Sequence, residues 1–137
     1  MIRIFNVEGK PHGKARPRAT KNGHVFNPKE NIEYETKIKE AYKEIYGKEP
    51  LMKGPVSVHI YANFPIPKSA IRKTKPNKIH IGQPYLGKPD NDNICKSILD
   101  ALNGIAYADD KQVWSTSVIS TYREKGNVLI SLIMEDE

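Results

Sequence analysis

Residues 56 to 64 constrain the fold most. Val56, Val58, Ile60, Ala62 and Phe64 alternate there with Ser57, His59, Tyr61 and Asn63. Successive side chains on a strand point to opposite faces, so this pattern predicts a half-buried strand within a sheet. Other segments supply the rest of the architecture. Residues 2 to 7, rich in Ile, Phe and Val, predict a first strand, and Val25-Phe26 a short one. The Gly/Pro-rich run from Gly9 to Arg18 predicts an extended loop. Asn27-Pro28 predicts a helix start, with Asn as N-cap and Pro at the first helical position. Ile32, Ile38, Ala41, Tyr42 and Ile45 keep helical spacing as far as Tyr46, and Gly47 is the expected stop. A second helix of about three turns, capped by Asp90 or Asp92, carries Ile94, Ile98 and Leu102 along one side and ends at Gly104. Residues 113–122 and 127–134 predict a hairpin around Arg123–Asn127.

The connection from 65 to 89 holds five of the ten prolines, and only Ile79-His80-Ile81 in it resembles strand. A connection of that length is either functional or disordered. No repeat or second domain is visible. Residues 1–137 therefore predict one small α+β domain: a mixed β-sheet packed with two main helices on one face or edge. At 137 residues the chain buries about two-thirds of its unfolded surface, enough to fold without disulfides or structural zinc. The single Cys95 excludes an internal disulfide and a cysteine-based zinc knuckle. No apolar run is long enough to span a membrane, and the start turns polar too soon for a signal peptide. A reduced, cytoplasmic protein is the plain expectation.

The net charge of +6 suggests an acidic partner only weakly, but its distribution is more informative. Lys10, Lys14, Arg16, Arg18 and Lys21 occupy one stretch free of acids. Lys68, Arg72, Lys73, Lys75, Lys78 and Lys88 occupy another, so the two hold 11 of the 22 cations. Conversely, five of the six aspartates (Asp90, Asp92, Asp100, Asp109 and Asp110) fall within 21 residues.

Asp90 and Asp92 stand at a helix N-terminus, and Asp109-Asp110 at the end of a short return from that helix. The helix is roughly 16 Å long and the return spans about 13 Å, so the second pair can fold back toward the first. Carboxylates without cysteine or histidine among them form a hard-oxygen donor set, suited to Mg²⁺ or Mn²⁺ and not to zinc. In a basic protein this points to phosphodiester hydrolysis, with Lys96, one turn after Asp92, placed to offset charge on the phosphate or leaving oxygen. The competing structural roles are ordinary. Asp92 alone suits a helix cap, Lys96 an i,i+4 partner of Asp92 or Asp100, Asp100 a structural position, and Asp109-Asp110 a turn.

At these residues the chain resembles the RusA family of Holliday junction resolvases, found largely in bacteria and their phages. The resemblance rests on Asp90-Asn91-Asp92-Asn93, Lys96, Asp100-Ala101-Leu102 and Asp109-Asp110-Lys111-Gln112-Val113, and more loosely on Lys14-Ala15-Arg16-Pro17-Arg18. It implies metal-binding and catalytic acids at Asp90, Asp92 and Asp110, an accessory acid at Asp109 and a catalytic lysine at Lys96. It also implies a Mg²⁺-dependent homodimer that nicks opposite strands of four-way junction DNA in recombination and repair, with no small-molecule cofactor. The basic segments then take the role of DNA binding, with Lys14, Arg16 and Arg18 alternating along an extended chain and Arg72, Lys73, Lys75 and Lys88 nearer the site. Tyr85 and Phe26 are candidates for stacking at the branch point, although a core or rim place suits both better.

Two other readings compete. Pro89-Asp90 with Asp109-Asp110-Lys111 formally fits a PD-(D/E)xK nuclease, but that fold needs its Asp-x-Lys segment on a central strand, and here it precedes one. A non-catalytic basic recombination accessory protein would explain the cations. It leaves the aspartates unexplained, because carboxylates beside phosphate are unfavourable without a cation.

Overall fold

The alternating strand becomes the centre of the sheet. In the computed structural model, which describes residues 1–70 and 78–135, β1 (Ile2–Glu8), β2 (Arg18–Ala19) and β3 (Val25–Phe26) precede helix α1 (Lys29–Tyr46). Strand β4 (Val56–Pro65), helix α2 (Asn91–Leu102), β5 (Val113–Arg123) and β6 (Asn127–Met134) follow. The main sheet has the order β1-β6-β4-β5, and β2 and β3 form a separate small ladder. Strand β4 pairs antiparallel with β6 and parallel with β5, so the sheet is mixed and the fold is α+β.

The expected hairpin is therefore corrected: β5 and β6 are not neighbours, because β4 lies between them. The inner face of β4 (Val58, Ile60, Ala62, Phe64) is at most 1% exposed, and only a central place buries such a strand against both helices. The short link from Arg123 to Asn127 still suffices, since it crosses two strand spacings of about 4.8 Å. It is closed by Gly9, whose N–H donates to the Gly126 carbonyl at 3.0 Å. A Cβ on Gly126 would lie 2.9 Å from the Lys10 backbone.

Both helices pack on one face of the sheet. Tyr34, Ile38 and Tyr42 of α1 and Ile94, Ile98, Ala101 and Leu102 of α2 meet Phe5, Val7, Ile60, Val128, Ile130 and Leu132 there. Arg3 is buried with them; its guanidinium donates to the Tyr42 hydroxyl at 2.6 Å and lies over the Tyr46 ring. Tyr46 also covers the open edge of β1, its hydroxyl bonding both the N–H and the carbonyl of Ile4. Helix α1 begins one residue later than expected. Pro28 takes the N-cap position with no side-chain cap, and the Asn27 side chain instead accepts from Asn31 at 2.8 Å.

The outer edge of β5 is covered as well. Gly82 N–H donates to the Tyr122 carbonyl, Tyr122 N–H to that of Gln83, and Tyr85 N–H to that of Ser120. The long connection thus runs antiparallel along β5 from residue 82, while Ile79-His80-Ile81 forms no strand. Backbone groups at a sheet edge need partners, and this segment supplies them. No helix among the described residues is long and apolar enough to cross a membrane.

Candidate metal and nucleic-acid site

Helix α2 carries most of the site. Asp90 is its N-cap, with extended backbone and a carboxylate accepting from Asn93 N–H at 3.1 Å. Asn91 fastens this end of the helix to β5, donating to the Val118 carbonyl at 3.1 Å and accepting from the Ser120 hydroxyl at 2.6 Å. Asp92 and Lys96 then lie one turn apart, about 6 Å along the axis. Among the described residues neither forms an ion pair, so Lys96 is not the helix-surface partner of Asp92 or Asp100 that its spacing allows.

The chain returns to the same place after α2. Gly104 turns with φ of +78°, and Tyr107, fully buried, donates its hydroxyl proton to the Leu99 carbonyl at 2.9 Å. Asp109 then caps a one-turn 3₁₀ segment, Asp110–Gln112, by accepting from Lys111 N–H at 2.9 Å. The Gln112 carboxamide holds this turn from both sides. Its oxygen accepts from the N–H groups of Ala108 and Asp109, and its nitrogen donates to the carbonyls of Met52 and Gly54. Gln112 carries no role in the sequence reading. Its signal was legible all the same, since an acid followed three residues later by Gln is a capping box.

Asp110 is thereby placed in a cleft of about 340 Å³ shared with Asp92, Cys95, Lys96, Leu99 and Asp100. Asp90 lines an adjoining cleft with Tyr85, Leu86, Gly87, Pro89, Asn91 and Asp92, so Asp92 belongs to both. Asp109 and Asp110 interact directly. The hydrogen bond to Asp109, then desolvation and the charges of Asp109 and Asp100, push the Asp110 carboxyl up. The Lys111 N–H, then the bond to Asp110, pull Asp109 down. Burial, followed by the charges of Asp110 and Asp100, also pushes the Tyr107 phenol well up. Negative charge thus accumulates at this end of α2.

The donor set is oxygen-rich and short of counter-charge, which fits a divalent cation such as Mg²⁺ or Mn²⁺. The candidate ligands are Asp90, Asp92 and Asp110, with Asp109 beside them. Among the described residues, no three His, Cys, Asp or Glu side chains are grouped so as to hold an ion as they stand.

The cations divide into distinct groups. Lys14 lies between helices, its ammonium 2.8 Å from Glu35 of α1 and 2.7 Å from Asp100 of α2. Its loop is pressed onto the start of α2: Lys14 N–H donates to the Asn93 carbonyl, and a Cβ on Gly13 would lie 2.4 Å from Pro89. Arg18 pairs with Glu30 at 2.7 Å, while Arg16 and Lys88 are exposed without an ion pair among the described residues. Lys14, Arg16 and Arg18 therefore do not form one outward row, because two carboxylates hold Lys14 against the helices. Arg72, Lys73 and Lys75 lie outside the described residues. Tyr85 is stacked on Phe64 at 3.6 Å and donates to the Lys88 carbonyl, which makes it a fixed rim residue, whereas Phe26 is exposed.

Comparison with known proteins places the chain in a family. The family described as Endodeoxyribonuclease RusA matches residues 8–133. A Bacillus subtilis (strain 168) protein named "Uncharacterized protein YqaN" is 33% identical over 134 residues, covering 93% of each chain. The matched span contains both helices, every main-sheet strand in whole or in part, and all five clustered aspartates, and on it the chain belongs to the RusA family of endodeoxyribonucleases.

Proposed function

We propose that this protein is a Mg²⁺-dependent, structure-specific endonuclease that resolves four-way DNA junctions by paired nicks, acting as a homodimer on cytoplasmic DNA. The observation that carries the reading is the shared cleft of Asp92, Lys96 and Asp110 in a member of an endodeoxyribonuclease family.

Asp92 and Asp110, with Asp90 from the adjoining cleft, would hold the metal, and Asp109 is the accessory acid. Mg²⁺ bound there supplies charge stabilisation to a phosphate oxygen and an acidified water. The protein's own groups do the remaining work. Asp90 caps α2 and so orients the first turn that presents Asp92. Gln112 fixes the turn presenting Asp110. The Lys96 ammonium is available to the phosphate or the leaving oxygen. Exposed Arg16 and Lys88 are the cations assigned to DNA phosphate, and Arg72, Lys73 and Lys75, outside the described residues, are assigned the same role from the sequence. Paired nicks on a two-fold junction call for two related sites, which a symmetric dimer provides.

Cleavage of a synthetic four-way junction tests the reading. Symmetric paired nicks with Mg²⁺, absent with EDTA and in Asp90→Asn or Asp92→Asn that still bind the junction, are expected. Tight junction binding with no cleavage under any divalent ion would instead identify an accessory protein. Equal cutting of linear duplex would identify a general nuclease.

A further inference from the structure

Residues 16–27 leave the body of the domain. All of them are exposed, with Val25 at 71% and Phe26 at 45%. The segment has a fixed shape all the same, because β2 and β3 pair antiparallel and close a hairpin around residues 20–24. Thr20 N–H donates to the His24 carbonyl at 2.8 Å and Gly23 N–H to the Thr20 carbonyl at 3.0 Å. His24 N–H donates to the Thr20 hydroxyl at 3.2 Å. Gly23 has a φ of +80°, the left-handed position that a three-residue hairpin loop needs.

Both legs of this hairpin are held by one side chain. The Asn31 carboxamide, buried on α1, accepts from the Ala15 N–H and donates to the Ala15 carbonyl on the incoming leg, each at 2.8 Å. It also donates to the Asn27 side chain on the outgoing leg. One residue before Ala15, the Lys14 N–H donates to the carbonyl of Asn93 in the first turn of α2, the turn that carries Asp92. The β2–β3 hairpin is thus mounted beside the acid-bearing helix. Its charge is one-sided: Arg16, Arg18 and Lys21 are accompanied by His24 and by no acid. Arg16 and Lys21 form no ion pair among the described residues, and Arg18 meets Glu30 only at an exposed surface. Side chains directly opposite on paired strands share a face. Arg18 lies opposite Phe26 and turns toward α1, so Ala19 and Val25, paired on the other face, look away from the domain.

We propose that the β2–β3 hairpin enters the major groove of a duplex arm of the DNA substrate, with Arg16 and Lys21 on phosphates and Ala19 and Val25 toward the base edges. A two-stranded ribbon fits that groove, which is about 12 Å wide and about 8.5 Å deep. Legs of about five residues at about 3.3 Å each give a reach of roughly 16 Å, enough to span its depth. Small apolar side chains suit the groove floor, where thymine methyl groups lie. The flanking phosphates supply the counter-charge that the chain itself withholds from Arg16 and Lys21. An acidic protein surface would answer the cations but not the outward apolar pair. The proposal rests on the reading of this chain as a nuclease acting on DNA, and adds where an arm is gripped while a strand lies in the acid cleft.

Fluorescence anisotropy of a labelled linear duplex and a labelled four-way junction, titrated with the full chain in EDTA, provides the test. Val25→Glu is expected to weaken both about 10-fold, because it sets a carboxylate among phosphates. The two losses should be equal, since every junction arm is duplex. Lys21→Ala should lower the slope of log affinity against log salt by about 1 on both DNAs. Lys48→Ala, which removes an exposed cation past the far end of α1, should bind as the wild type does. A wild type that binds neither DNA, hairpin variants that bind as the wild type does, or a loss confined to the junction would each overturn the proposal. Should Val25→Glu misfold by circular dichroism, a photocrosslinking side chain at position 25 decides: it must capture the linear duplex, and no capture rejects the hairpin. A protein that grips duplex through the hairpin yet never cleaves a junction would refute the nuclease reading alone, so the two fail separately.

Discussion

Lys14 in the N-terminal loop and Asp100 on the third turn of α2 are 86 residues apart and joined at 2.7 Å. The same ammonium reaches Glu35 at 2.8 Å, so one cation ties the loop to both helices at the wall of the acid cleft. Lys14→Met should therefore destabilise the fold by about 1–2 kcal/mol, measured by urea unfolding, because two carboxylates lose their common partner. Its effect on junction affinity should be nearly independent of salt. Arg16→Ala, by contrast, should lower the slope of log affinity against log salt by about 1 if Arg16 meets phosphate. A slope reduced equally by both variants would place Lys14 on the DNA.

The same contact predicts an alkaline limit. Burial works against the Lys14 charge, but the hydrogen bonds and charges of Asp100 and Glu35 outweigh it, so the pKa rises above 10.5. A folded-state pKa above the unfolded value means that the stabilisation is complete below the unfolded pKa and is lost as pH rises through the folded one. The urea midpoints of wild type and Lys14→Met should differ at pH 7 and converge as the pH climbs past 10.5. A constant difference would assign the effect to packing of the aliphatic stem.

Gln112→Ala should cost about 2–3 kcal/mol. It strands two N–H groups and two carbonyls in a turn whose geometry they define. Since that turn presents Asp110, a higher Mg²⁺ requirement for cleavage should accompany the lost stability. Cleavage titrated with Mg²⁺ separates the two effects, because a purely structural role would leave the half-saturating concentration unchanged.

Lys96→Met should do the reverse. With no ion pair to lose among the described residues, its stability should stay within about 0.5 kcal/mol of wild type. Cleavage should fall by about 10²–10³-fold while junction binding persists. Thermal unfolding and single-turnover cleavage together check this, and Lys96→Arg should recover part of the rate.

Much of the architecture was legible in the chain, because it is encoded locally. Period-two alternation marked β4, helical spacing marked α1 and α2, and Asp90, Gly47 and Gly104 punctuated them. The acid and lysine positions along α2 follow from helix geometry alone. Strand order was not legible. A short link between β5 and β6 reads as a hairpin, yet β4, with its inner face wholly apolar, occupies the place between them. Spacing along the chain cannot rank strands by how much surface each buries on both sides.

The sequence by itself determined the elements, the aspartate-rich segment and the separation of charge into acidic and basic stretches, since each depends on residues a few positions apart. Tertiary structure alone decided which charges meet. It set Asp110 in the cleft of Asp92 through a turn held by Gln112, and drew Lys14 out of the basic stretch to lie between Glu35 and Asp100. An ion pair depends on distance in space, and only packing of the helices against the sheet sets that distance.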